Sequence, residues 1–419
     1  MPAMENFENL LFHVLIQLVV IITAAQVGGR LARKVGQPQV VGEIVAGLML
    51  GPSVLGHLAP VTVESIFPED AAVIFRVLSE VGLVLLMFLI GLEFDFSHLR
   101  QVGRTALGVA AAGISLPFAL GTAVAWWMHP QVAADVNRLG FTLIVAVALS
   151  ITAIPVLGRI MMELNLQRTR MGTLAITAAA FDDALGWILL AGVSAAIHGD
   201  FQWSAVAGML GWTIAFVAAC QLVARPLINR WLDRIRGRSG EDLSLPALAA
   251  VLVVVLLAAA VTNAIGIFSI FGPFVLGAVL SDRHGLRDAI LGRLRDFVHV
   301  FFLPIFFTYT GLRTDVGRLA TLNDWLICGL VLAVAIFGKM AGTGLLARAG
   351  GFSWRESGCV AVMMNTRALM GLIAINVGRE LGVISDAVFT MLVIMALVTT
   401  LMTTPLLRRL LPEQPSSSV

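Results

Sequence analysis

The sequence predicts an all-α polytopic membrane protein of about thirteen transmembrane helices, and three observations predict it. Of the 419 residues, 58% are apolar and only 13% are charged, with a mean hydropathy of +0.92; soluble domains carry about 25% charged residues. Apolar runs recur along the whole chain, many near the roughly 20 residues a helix needs to cross a bilayer. Between those runs the basic residues alternate between crowded and sparse loops. So few charges cannot cover a water-facing surface, which excludes a soluble globular domain. No nucleic-acid partner is expected.

The spans fall at 9–29, 38–51, 72–94, 103–127, 140–160, 170–197, 204–224, 245–263, 267–282, 296–312, 323–347, 356–378 and 385–408. The second and ninth are short and rich in glycine. Residues 1–8 are expected to be an extracytoplasmic tail, 9–410 a single membrane domain, and 411–419 a short cytoplasmic tail with no regulatory nucleotide-binding domain. The opening MPAMENFENL is acidic and lacks the basic start of a cleaved signal. Cys220, Cys328 and Cys359 lie in apolar runs without metal or disulfide spacing and read as small packing residues.

Charge sets the orientation. With the N-terminus outside, 21 Lys and Arg fall in inner loops and 4 (Arg138, Arg313, Arg318 and Arg379) in outer ones. The positive-inside rule then puts the C-terminus in the cytoplasm, and an odd number of spans is required. The basic run RWLDRIRGRSGED reads as an ordinary cytoplasmic loop that meets anionic lipid.

Three of the 28 basic residues remain inside spans: Arg76, Lys339 and Arg367. The acids at comparable depth are Glu43, Glu80, Glu93, Asp182 and Asp183. A charge at the bilayer centre costs about 2.5–3.5 kcal/mol on insertion scales, so such residues pair or line a wet cavity. Asp182 and Asp183 stand side by side in AAAFDDALGW, inside the sixth span. Adjacent helical residues point about 100° apart. One carboxylate can therefore meet a fixed cation on a neighbouring helix while the other faces a site for a mobile cation. Lys339, deep in the eleventh span, is the natural fixed partner.

Two spans are interrupted at depth. ALSITAIPVLGRI in the fifth carries Ser150, Ile151 and Thr152 just before Pro155. Proline removes a backbone donor and disfavours helix in the residue before it. The twelfth carries Asn365, Thr366 and Arg367 together in VMMNTRALMGLIAINVG. Non-helical backbone at membrane depth is tolerated only against protein or a cavity. A polar-interrupted span in each half of the chain points to a transport site between inverted repeats. Glu43, among the glycines of QPQVVGEIVAGLMLGPS, lines a funnel or glues helices, and the second reading is the favoured one. A phosphate-binding glycine loop, zinc spacing or a nucleophile with a base partner is missing from the chain, so neither an enzyme nor a cofactor is expected.

Six segments together resemble a family: GQPQVVGEIVAGLMLGPSVLG, FLIGLEFD, LSITAIPVLGRIMMELNL, AAAFDDALGWILLA, LPIFFTYTGLRTD and MMNTRALMGLIAINVG. In this order they are similar to the monovalent cation/proton antiporters of the branch that holds bacterial and plant cation/H⁺ exchanger proteins and the Kef-type transporters. The resemblance implies a scaffold and dimerisation domain beside a core domain in which two broken helices cross, here the fifth and twelfth spans. It implies that Asp183 binds the cation and protons, that Asp182 pairs with Lys339, and that Thr152 and the backbone at Ile151, with Ser150 beside it, complete the cation shell. Pro155, Asn365, Thr366 and Arg367 would support the breaks. Kef-type members have Gln-Asp at the aspartate pair, so Asp-Asp here favours Na⁺ over K⁺. A homodimer in a bacterial inner membrane follows from the same resemblance. The other expectations kept open are a cation channel and a non-transporting sensor on the same fold.

Overall fold

The computed structural model describes residues 2–68, 71–93, 99–198, 203–228, 230, 244–267, 269–312, 319, 321–367, 371, 374–375, 377–379 and 381–411. The core of the basic loop with Arg234, Arg236 and Arg238, the outer Arg313 and Arg318, most of the second half of the twelfth span, and residues 412–419 lie outside the described residues.

Among the described residues every regular element is helical. The chain divides into two compact units. The first comprises Met1–Ser97 and Gln202–Asp315, the second His98–Phe201 and Val316–Val419. In the first unit lie α1 (Pro2–Lys34), α2 (Gln39–Leu50), α3 (Leu55–Leu58), α4 (Pro60–Ile66) and α5 (Ala72–Glu93). The second unit holds α6 (Leu99–Val132), α7 (Arg138–Ser150), α8 (Ile154–Glu163) and α9 (Arg170–His198). The chain then returns to the first unit with α10 (Trp203–Ala219), α11 (Leu245–Ile265), α12 (Phe271–Leu280), α13 (His284–Phe297) and α14 (Leu303–Leu312). It ends in the second with α15 (Leu322–Ala349), α16 (Trp354–Met364) and α17 (Asp386–Leu410). Wide π turns at Cys220–Ala224 and Val298–Phe302 follow α10 and α13.

Ten segments among the described residues are long and apolar enough to cross a membrane. The ten leave out three of the thirteen expected spans. The ninth, tenth and twelfth appear as α12, α14 and α16, helices of 10, 10 and 11 residues. The chain is helical from Pro2, so residues 2–8 continue the first helix. Helix α13 was not foreseen because it is too polar for a hydropathy reading: only Leu286 and Ile290, one turn apart, are buried aliphatics on it.

Local chemistry explains the helix starts. Thr321 and Asp324 form a reciprocal capping box for α15, and Ser353 and Glu356 do the same for α16. Asn137 caps α7 and Ser385 caps α17. Helix α11 stops where Gly266 adopts a φ of +93°, a left-handed conformation that glycine takes without a Cβ penalty.

The first unit is packed through glycine. Gly91 of α5 and Gly277 of α12 cross so closely that a Cβ on Gly91 would overlap the Phe274 carbonyl, and one on Gly277 the Phe88 carbonyl. Small residues at crossings replace the hydrophobic drive that lipid cannot supply. Gly91→Val is therefore expected to lower the melting temperature of the purified protein, with an overpacking cost of about 1–3 kcal/mol. Gly208→Ala, where nothing lies within 4 Å of the added carbon, should melt like the unaltered chain.

Candidate cation and proton site

The second unit brings the buried charges and the two interruptions together. Helix α7 ends at Ser150, and Ile151, Thr152 and Ala153 are not helical. Pro155 stands in the first turn of α8, where its missing N–H is tolerated. In a continuous helix that N–H would have bonded the Ile151 carbonyl, so the proline breaks the span just ahead of itself. In the twelfth span α16 ends at Met364 and Asn365–Arg367 are not helical.

The two breaks are joined by hydrogen bonds. The Thr152 hydroxyl donates to the Met364 carbonyl at 2.9 Å, and the Ala153 amide donates to the Thr366 carbonyl at 2.8 Å. The Thr366 hydroxyl meets that of Thr403 on α17 at 3.1 Å. Backbone groups that a continuous helix would satisfy along its own axis are thus satisfied by the other interruption.

Lys339 of α15 is fully buried, as is Asp182 of α9, and the ammonium lies 2.6 Å from Asp182 Oδ2. The same ammonium donates to the Ser150 carbonyl. Ser150 contributes through that backbone oxygen; its hydroxyl is turned back to the Ala146 carbonyl at 2.6 Å. The C-terminal end of a helix carries partial negative charge, so the end of α7 is a favourable place for a cation. Asp183, next in sequence, is 2% exposed. Its Oδ1, like Oδ1 of Asp182, is buried without a hydrogen-bond partner among the described residues.

Arg367 is also fully buried. It donates to the Ala335 carbonyl, one turn before Lys339 on α15, at 2.6 Å, and reaches Met395 Sδ at 3.8 Å. Asn365 caps α16; its amide nitrogen reaches Met402 Sδ at 3.7 Å while its Oδ1 is unpartnered. Glu43 belongs to the first unit instead. It is buried on α2 and accepts from Gln39 at 2.8 Å, and its backbone carbonyl accepts from the Thr308 hydroxyl at 3.2 Å. The Thr308 contact fastens α2 to α14.

Sequence reasoning missed three contributors. Gly186 sits in the aspartate stretch itself, one turn past Asp182, and a Cβ there would come within 2.8 Å of Ile151. It lets the first break lie against α9. Gly113 of α6 leaves space beside Lys339: a Cβ would lie 2.8 Å from Thr343 and 3.6 Å from Nζ. Thr403 belongs to VTTLMTTP, whose paired threonines in an apolar span were a legible signal.

The comparisons with known proteins place the chain in a family. The chain is 40% identical over 409 residues to the Na⁺/H⁺ antiporter NhaS4 of Synechocystis, covering 96% of this chain and 98% of that one. It is 38% identical over 397 residues to cation/H⁺ antiporter 18 of Arabidopsis thaliana, covering 93% of this chain and 48% of that protein. The chain spans about half the length of the plant relatives it matches. The solved structure of the sodium proton antiporter MjNhaP1 from Methanocaldococcus jannaschii matches with a TM-score of 0.59 at 14% identity, over 95% of this chain and 96% of that one, which is a likeness of fold. Residues 19–411 match the family described as sodium/hydrogen exchanger, transmembrane, and the chain, an integral membrane protein, belongs to that family.

Proposed function

We propose that this chain is a secondary antiporter that exchanges a monovalent cation, Na⁺ ahead of K⁺, for H⁺ by alternating access. The observation that carries the proposal is the division of labour between adjacent aspartates. Both carboxylates leave Oδ1 open, but Asp182 is tied to Lys339 through Oδ2, whereas Asp183 enters no ion pair among the described residues. A buried carboxylate without a partner needs a neutralising ligand. A hard cation suits carboxylate, carbonyl and water oxygens, and Asp183, the Thr152 oxygen and the backbone at Ile151 supply that chemistry. A proton neutralises the same carboxylate. The two compete, and a site loaded with either is close to neutral, while an empty ionised site meets the cost of carrying bare charge through the apolar barrier. Coupling follows from that asymmetry.

Relatives bearing Na⁺/H⁺ and cation/H⁺ antiporter names support the reading. The preference for Na⁺ rests on the Asp-Asp pair and on the name of the cyanobacterial relative. A homodimer in a bacterial inner membrane, with the N-terminus outside and the C-terminus in the cytoplasm, belongs to the same proposal, supported by the charge bias of the loops.

The test uses proteoliposomes carrying a proton gradient and a pH-sensitive dye. Added Na⁺ should collapse the gradient with the unaltered chain, and Asp183→Asn should lower the rate at least 100-fold. A cation current that moves no protons would make the chain a channel, and no response to Na⁺, K⁺ or Li⁺ between about pH 6 and 9 would leave it a sensor. Competition also sets the pH dependence. The apparent KM for the cation should fall as pH rises, by up to about tenfold per unit while the site is mostly protonated. A KM independent of pH would remove competition from the mechanism. Lys339→Met should destabilise the protein by about 3–5 kcal/mol by leaving Asp182 buried and unpaired, and Asp182→Leu in the same chain should restore most of the loss. Thermal unfolding in detergent measures both.

A further inference from the structure

The first unit carries a cleft that the exchange reaction does not use. It has a volume of about 250 Å³ and is lined by aliphatic side chains, among them Leu227, Ile228, Val251, Val254, Leu276 and Leu280. Leu227 is 57% exposed, so the cleft opens on the surface of its unit. The wall from the α10 side follows the π turn Cys220–Ala224; a π turn holds an extra residue and re-aims the side chains after it. With no polar group in its lining, such a space does not hold ordered water. In a chain that spans a bilayer the neighbouring apolar matter is lipid tail.

One end of the cleft is charged. Arg225, two residues before Leu227, pairs with Asp282, two residues after Leu280, so the ion pair bridges the two walls. Both partners are about half exposed, at 41% and 53% of their side chains. Arg230 and Arg283 are exposed on the same two stretches of chain. Arg225, Arg230 and Arg283 thus put three basic side chains on the two stretches of chain that supply these walls. Tail contacts alone would take any lipid, whereas a basic mouth favours an anionic headgroup.

We propose that the cleft between the end of α10, α11 and α12 binds an anionic phospholipid, with one acyl chain against Val251, Val254 and Leu276 and the phosphate at Arg225, Arg230 and Arg283. The site pins the sparsely packed α10 and α11 to α12 and makes the stability of the first unit depend on lipid charge. It belongs to the first unit, whereas Asp182 and Asp183 belong to the second, and it does not rest on the exchange reading.

The test is thermal unfolding of the detergent-purified chain with added phosphatidylglycerol, phosphatidylcholine of the same tails, or glycerol phosphate, together with native mass spectrometry to count retained lipid. Phosphatidylglycerol should raise the melting temperature by several degrees more than phosphatidylcholine, and one copy should be retained. Glycerol phosphate should give no shift. Arg230→Glu with Arg283→Glu should lose at least half of the difference between the two lipids. Val254→Trp should lose retention by filling the cleft, and Leu227→Ser repeats that arm at an exposed position should the tryptophan variant fail to fold. Equal shifts from both lipids, a shift from glycerol phosphate equal to that from the whole lipid, or a preference unchanged in the charge and cleft variants would each overturn the site.

Discussion

The second unit depends on one buried ion pair. Taking Lys339 and Asp182 out of water costs several kcal/mol per ion even after relaxation, and attraction offsets that only with good geometry and further hydrogen bonds. The geometry is present, with 2.6 Å between the charged atoms, and the further hydrogen bond is the Ser150 carbonyl. That carbonyl is available because α7 ends there. Helix α7 ends there because Pro155 withholds the next helical donor and because Thr152 and Ala153 find their acceptors in the other interruption. Ion pair and breaks are therefore one cooperative object: each supplies a group the other needs.

The same dependence explains why two adjacent aspartates are more useful than one. A single carboxylate shared between Lys339 and a mobile cation would have to release one to hold the other, exposing a buried charge at each exchange. Side chains about 100° apart on α9 separate the tasks. Asp182 holds Lys339 in an ion pair, and in the proposed exchange Asp183 is left to change partners. Glycine provides the room. Gly186 admits the Ile151 side chain beside the aspartates, and Gly113 admits Thr343 and the end of the lysine side chain. A methyl group at Gly186 would push on the Ile151 side chain, and one at Gly113 on Thr343 beside the lysine.

Much of this was legible in the chain, for a physical reason. In an apolar solvent every charge and every interruption is costly, so Asp182, Asp183, Lys339, Pro155 and the Asn365–Arg367 cluster stand out against aliphatic surroundings. The apolar runs likewise matched helices to within a few residues, apart from the breaks. Less visible was anything whose cost is met by a contact far away in sequence. That Ser150 acts through its carbonyl, that Thr152 reaches Met364, and that Arg367 anchors on Ala335 are facts of packing between segments up to about two hundred residues apart. Glycines are ambiguous for the same reason: Gly186 and Gly208 look alike until their neighbours are known. Helix α13 escaped because its signal is polar on most sides and so runs against the period a membrane reading looks for.

The two units are held together internally by different physics, and that difference bears on where chemistry can act. Crossings in the first unit bring backbone against backbone at Gly91 and Gly277, contacts that no change of pH or ion can alter. The second unit closes around polar bonds between interrupted helices and a buried ion pair, whose strength is set by which groups carry charge. In the proposed exchange, binding or losing one proton or one cation at Asp183 would change the balance of forces inside the second unit.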